Sequence, residues 1–237
     1  HRLRSALSRK SPMFDRASLV DRAVTDRVLA HELPRDVATD LSGAVLSGAL
    51  DTMMMSRHLD LLARRSKGKT FYSIGSSGHE AMVMVALAAR ADDMAFLHYR
   101  DAGFCIARRK AIPGSTPLWD MLLSFTASAD DPVSGGRHKV LGGKDIYVPP
   151  QTSTIASHLP KAMGMAHSIG IAKREKLTAE VAHDSVVLCS FGDASSNHST
   201  AQGAINAAAW AAYQGGSMPI VFICEDNDIG ISVATPK

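Results

Sequence analysis

Apolar residues recur at helical spacing from Ser18 to Leu33, where Leu19, Val20, Ala23, Val24, Val28 and Leu29 share one face and Pro34 stops the run. A second helix is expected from about Ala49 to Arg65, with Met53 to Met55 as adaptable core filler. These two helices make an N-terminal helical segment, 1–66. From about Thr70 the pattern changes. "FYSIG" leads through a Gly and Ser turn into the helix "GHEAMVMVALAARA", and "MAFLHYRDAG" reads as a short strand ending at His98, Tyr99 and Arg100, with a helix after it. The stretch from Ile112 to Pro150 is rich in Gly, Pro and Asp, so it is expected to be a functional loop region holding one short helix at "PLWDMLLSF". A long helix opens after Thr152, with Ser157 as its cap and Pro160 in its first turn. Ser185–Gly192, Ala201–Tyr213 and Pro219–Glu225 then read strand, helix, strand. Strands that are apolar on every residue belong to parallel sheets buried on both faces, joined by right-handed crossovers. The expectation is an α/β fold over 67–237, a parallel sheet with helices on both faces, preceded by the helical segment.

Composition narrows the class without naming a function. The 237 residues are 46% hydrophobic and carry a net charge of +3, enough for a sizeable core. The basic residues are scattered rather than gathered into a stripe, which argues against nucleic acid as a partner. No apolar run reaches the roughly 18 residues that a membrane span requires. Three cysteines, odd in number and far apart, exclude a disulfide framework or a CxxC zinc site and fit a reducing compartment. A bacterial cytoplasm is expected in preference to a mitochondrial matrix, with the basic, acid-free opening "HRLRSALSRKSP" read as a frayed terminus.

Candidate chemistry sits where strands end. In open parallel sheets ligands bind outside the carboxyl ends of the strands. One strand here ends at Asp193 and the other in "CEDNDIG". Asp193 offers a carboxylate, Asn227 a side-chain carbonyl and the turn at Ile229 a backbone carbonyl, a hard oxygen set suited to Mg²⁺. Ala194, Ser195 and Ser196 let backbone N–H groups approach an anion. Arg100, at another strand end beside Tyr99, supplies a guanidinium fork that matches phosphate. A rival use of the same pattern is a non-catalytic Mg²⁺-binding, phosphate-sensing module built on Asp193 and Asp226. Other motifs fail: "GGKD" lacks the remainder of a P-loop, His79 and Glu80 lack the second histidine of HExxH and read as helix entry, and the histidines show no ligand spacing.

"GDASSNHSTAQGAINAAAW" followed by "VFICEDNDIGIS" resembles the thiamine diphosphate signature, GDG followed further on by NN. "FYSIGSSGHEA", "HYRDAG", "GRHKVLGG" and "TSTIASHLPKAMGMAHSIGIAKR" occur in the order found in the alpha subunit, or alpha half of a fused chain, of the decarboxylating component of 2-oxo acid dehydrogenase complexes. The resemblance runs from about Asp51 to Pro236. It implies that Asp193, Asn227 and the backbone oxygen of Ile229 hold Mg²⁺, that Tyr99 and Arg100 bind the diphosphate alongside Ala194 and Ser195, and that the backbone near Ser153 and Ile155 meets the aminopyrimidine. It implies a monovalent cation near Thr152 and Ser157. The implied activity is oxidative decarboxylation of a branched-chain 2-oxo acid or pyruvate, with acyl transfer to a lipoyl-bearing acyltransferase. The implied partner is a beta subunit or beta half, in a dimer or heterotetramer, and the catalytic acid and base lie outside these residues. A transketolase-like enzyme or a simple 2-oxo acid decarboxylase is the nearer alternative. Ala194, Asp226, His158 and His198 depart from the family's usual Gly, Asn, Gln and Glu, and the interval from Asp193 to Asn227 is longer than usual. With only "NDIGISVATPK" after the last strand, the sheet is expected to be unfinished and the chain to be part of a larger polypeptide or assembly.

Overall fold

The computed structural model describes residues 16–30, 39–66, 74–230 and 234–235, and the chain divides into two compact units, His1–Ser42 and Gly43–Lys237. In the first unit α1 spans Arg16–Ala30, with Val28 and Leu29 largely exposed. The expected stop at Pro34 and the "FYS" of "FYSIG" lie outside the described residues.

The second unit holds everything else. Helix α2 (Gly43–Arg65) starts one turn and more before the expected Ala49 and buries Ala49, Thr52, Ser56, Leu59 and Asp60, a stripe at helical spacing. Met53 and Met55 pack partly against the core, whereas Met54 faces outward. After α3 (Met82–Ala88) come β1 (Ala95–Phe96), α4 (Ala102–Lys110), α5 (Pro117–Phe125), β2 (Leu141–Gly143), β3 (Val148–Gln151), α6 (Leu159–Glu175), β4 (Val187–Gly192), α7 (Ser199–Tyr213) and β5 (Ile220–Glu225).

Strands β1, β4 and β5 form a parallel sheet in the order β1-β4-β5. The central strand shows why its sequence is apolar apart from Ser190. Val187, Cys189 and Phe191 pack into a cluster with Leu159, Ala162 and Ala166 of α6 and Ala201 and Ala204 of α7. Leu188, pointing the other way, joins Val83 of α3 and Phe104 and Ile106 of α4. The two-residue period of a strand thus feeds two cores, and helices cover both faces as expected. Strand β5 is the outer strand among the described residues, with Val221 exposed on it.

Three local expectations change. The strand expected to end at His98, Tyr99 and Arg100 is only Ala95–Phe96, so those residues follow it as loop and turn. The region 112–150 is not loop apart from α5, because β2 and β3 pair as an antiparallel hairpin. Gly142 and the Pro149-Pro150 pair read as breakers, but Gly142 sits at φ +125° with a carbonyl where a Cβ would stand, and a hairpin edge tolerates proline. Ser157 does not cap α6: His158 holds the cap position without a side-chain bond, and the Ser157 hydroxyl instead pairs with Thr154 Oγ1 at 2.9 Å and accepts from Gln151 Nε2 at 3.2 Å.

Candidate functional site

Sheet register brings three strand ends to one edge. Gly192 lies opposite Glu225 across β4 and β5, and Phe96 lies opposite Cys189 across β1 and β4. The residues that follow each strand, Tyr99-Arg100, Asp193-Ala194-Ser195 and Asn227-Ile229, therefore leave the sheet on the same side.

Asp193 opens a short 3₁₀ turn over Asp193–Asn197 that leads into α7. Partial burial raises its carboxyl, but the Thr235 hydroxyl and the Ala194 backbone N–H donate to it and hold it below the usual carboxylate range. Ala194 is exposed and Ser195 buried. At the next tip the chain turns sharply, with Asp228 at φ +60°. Asn227 Oδ1 accepts from the Ile229 N–H at 3.1 Å and Asp226 Oδ1 from the Asp228 N–H at 2.9 Å. Ile229 is mostly exposed and forms a bridge with Ala234. The Asn227 oxygen thus serves its own turn with one lone pair and keeps a second.

At the β1 tip the Arg100 guanidinium lies 5.3 Å from the Tyr99 ring centroid and donates to Gly75 O at 2.7 Å. The segment 152–158 carries Ser153 and the partly exposed Ile155 beside a chain of hydroxyls, Thr152 to Thr154 to Ser157 at 2.8 and 2.9 Å. His158 fastens this segment to the sheet through a 2.6 Å contact between its Nε2 and Ser190 O. Burial lowers the His158 pKa, so the neutral ring donates from Nε2.

Behind the tips lies a cluster that sequence spacing missed. His79, His98, Asp101 and Glu225 each turn a ligand-type atom inward, all within 4.8 Å of one another. His79 Nδ1 contacts Glu225 Oε2, and His98 Nδ1 lies 3.6 Å from Glu225 Oε1. The Ser190 hydroxyl donates to Asp101 Oδ2, and the His98 backbone N–H donates to Ser190 Oγ at 2.9 Å. Burial pushes the Asp101 and Glu225 carboxyls up, Glu225 to about 7; the Glu225 charge adds to the rise at Asp101, whereas a hydrogen bond with Asp101 and the Arg100 charge pull Glu225 back. Burial also drives His98 down to about 3 and lowers His79. His79 lies in the turn that leads into α3, three residues before its start, where its carbonyl accepts from the Met82 N–H at 3.2 Å, and it reaches across 146 residues to Glu225 as well. No local spacing encodes that meeting. The available signal was that Glu225 ends β5 and His98 lies two residues beyond the end of β1, on the same edge of the sheet.

The model of the family described as "Dehydrogenase E1 component" matches residues 50–237. Over 193 residues the chain is 31% identical to the 2-oxoisovalerate dehydrogenase subunit alpha of Bacillus subtilis, covering 78% of this chain and 52% of the relative. It is 26% identical to the mitochondrial counterpart of Mus musculus and 25% identical to that of Bos taurus, again over 78% of this chain but 38% and 37% of theirs. The chain therefore spans about half or less of the length of these curated relatives. With a family match over most of its length and the parallel α/β sheet in place, the chain belongs to the dehydrogenase E1 component family.

Proposed function

We propose that this chain is the alpha part of a thiamine diphosphate-dependent 2-oxo acid dehydrogenase and holds the Mg-diphosphate end of the cofactor at the carboxyl ends of β1, β4 and β5. The observation that carries this reading is the register: two parallel pairings put Arg100, Asp193 and Asn227 on one edge. The donor set fits the group, because Asp193 is held ionised and Asn227 offers an amide oxygen, both hard ligands. Ile229 O would complete the metal site, Tyr99, Arg100, Ala194 and Ser195 would meet the diphosphate, and Ser153 and Ile155 the aminopyrimidine. The hydroxyls of Thr152 and Ser157 would take a monovalent cation. Bound here, the cofactor supplies the electron sink for decarboxylating a 2-oxo acid. This chain's own residues bind and orient it. The names of the relatives favour 2-oxoisovalerate as substrate, a beta subunit or beta half as partner in a dimer or heterotetramer, and a lipoyl-bearing acyltransferase as acceptor. The family match does not favour a phosphate-sensing module. A bacterial cytoplasm remains the proposed location, and no helix among the described residues is long and apolar enough to cross a membrane.

The test is reconstitution with the beta partner of a related enzyme, thiamine diphosphate and Mg²⁺, followed by carbon dioxide release from 2-oxoisovalerate and from pyruvate. Turnover is expected only in the reconstituted mixture and faster with 2-oxoisovalerate. Turnover by the 237 residues alone would contradict the division of labour, and none in either case would remove the reading.

Arg100→Lys probes the diphosphate contact. Lysine keeps the charge but loses the planar fork, so cofactor binding is expected to weaken by about 1–2 kcal/mol, the scale of one charge-assisted hydrogen bond. Equilibrium dialysis measures this, and an unchanged affinity would leave Arg100 as a tether for Gly75 alone.

A further inference from the structure

We propose that His79, His98, Asp101 and Glu225 form a buried site for one transition-metal dication of the zinc class. The fold leaves several buried polar atoms here unsatisfied. His98 Nδ1, Asp101 Oδ1 and Glu225 Oε1 are sealed from solvent and have no hydrogen-bond partner among the described residues. His98 is 4% exposed and Asp101 0%. A buried polar atom without a partner is costly, and here three such atoms come from side chains whose ligand atoms all lie within 4.8 Å of one another, with His98 Nδ1 and Glu225 Oε1 3.6 Å apart. A proton shared between Asp101 and Glu225 would satisfy the two oxygens and leave the histidine nitrogen alone. One dication satisfies all three.

Ligand chemistry selects the ion. Two imidazole nitrogens with two carboxylate oxygens suit zinc and its neighbours, whereas Mg²⁺ prefers oxygens only. Tetrahedral zinc at about 2.0–2.1 Å from each ligand needs ligand atoms about 3.3 Å apart. The present spread of up to 4.8 Å closes to that with side-chain shifts of about an ångström, and the 3.6 Å between His98 Nδ1 and Glu225 Oε1 is nearly there already. Outer contacts are in place: Ser190 orients Asp101, and Ser190 in turn is held by the His98 backbone. The facing charges are Arg100 and Lys139 on one side and Asp60 and Glu80 on the other. A dication here would also offset the negative charge that Glu225, Asp226 and Asp228 bring to an edge expected to receive a diphosphate.

Titration of the full 237-residue chain with Co²⁺, with zinc competition, tests the site. One Co²⁺ per chain is expected, with the visible absorption of a low-coordinate nitrogen and oxygen site, displaced by Zn²⁺ and retained in Asp193→Ala. His79→Gln and Asp101→Asn are expected to lower affinity by more than the about 10–100-fold that loss of an outer partner costs. No Co²⁺ binding, or binding unchanged in His79→Gln, would overturn the site. Should both variants unfold by circular dichroism, X-ray absorption of the zinc-loaded parent decides: two imidazoles with oxygen ligands support the assignment, and any sulfur ligand or fewer than two imidazoles overturns it.

Discussion

Asp193→Ala is expected to weaken Mg²⁺-dependent binding of thiamine diphosphate by about 10- to 150-fold while leaving the fold intact. The carboxylate stands at the end of the central strand, where it contributes nothing to either core, and its hydrogen bonds keep it ionised. Loss of a charged contact to a cation or anion in a partly desolvated site costs about 1.5–3 kcal/mol. The Thr235 hydroxyl loses its acceptor, so stability should fall by about 1 kcal/mol at most. Equilibrium dialysis with and without Mg²⁺, beside a thermal melt, separates the effects. A variant that melts like the parent and still binds the cofactor in a Mg²⁺-dependent way would remove Asp193 from the metal site.

Phe104→Ala is expected to cost about 3–5 kcal/mol of folding free energy, the range for truncating a buried aromatic. Phe104 is 0% exposed at the centre of the cluster that joins α2, α3, α4 and the sheet, and the Arg108 guanidinium lies 4.6 Å from its ring centroid. Because α4 starts at Ala102, loosening it also loosens Arg100 and Asp101 at its N-terminal end. Urea unfolding measures the loss, and a shift below about 1 kcal/mol would show that this core collapses around the deletion without strain.

The sheet was legible because its strands are short, continuous apolar runs that end on polar residues. Val187 to Gly192 and Ile220 to Glu225 differ from the expected strands by two residues and one at their starts. Burial on both faces demands such runs, so the sequence carries the signal directly. The hairpin at Leu141–Gln151 was hidden because glycine and proline, which normally interrupt strands, are here accommodated by a positive φ and a hairpin edge. The helix cap was misplaced by one residue because Ser157, a strong capping type, is drawn into the hydroxyl chain with Thr154. The buried cluster was illegible for a different reason. His79 and Glu225 are 146 residues apart, and only the tertiary fold brings them together.

If the tips of β1, β4 and β5 form one diphosphate-binding edge, as proposed, they respond to the cofactor as a unit. The most direct test is an amide ¹H–¹⁵N spectrum of the labelled 237-residue chain titrated with thiamine diphosphate and Mg²⁺. Tyr99, Arg100, Asp193 to Ser196 and Asn227 to Ile229 are expected to shift together and only when Mg²⁺ is present, while α5 and the β2–β3 hairpin stay unchanged. Shifts confined to one tip, centred on the hairpin, or indifferent to Mg²⁺ would contradict it.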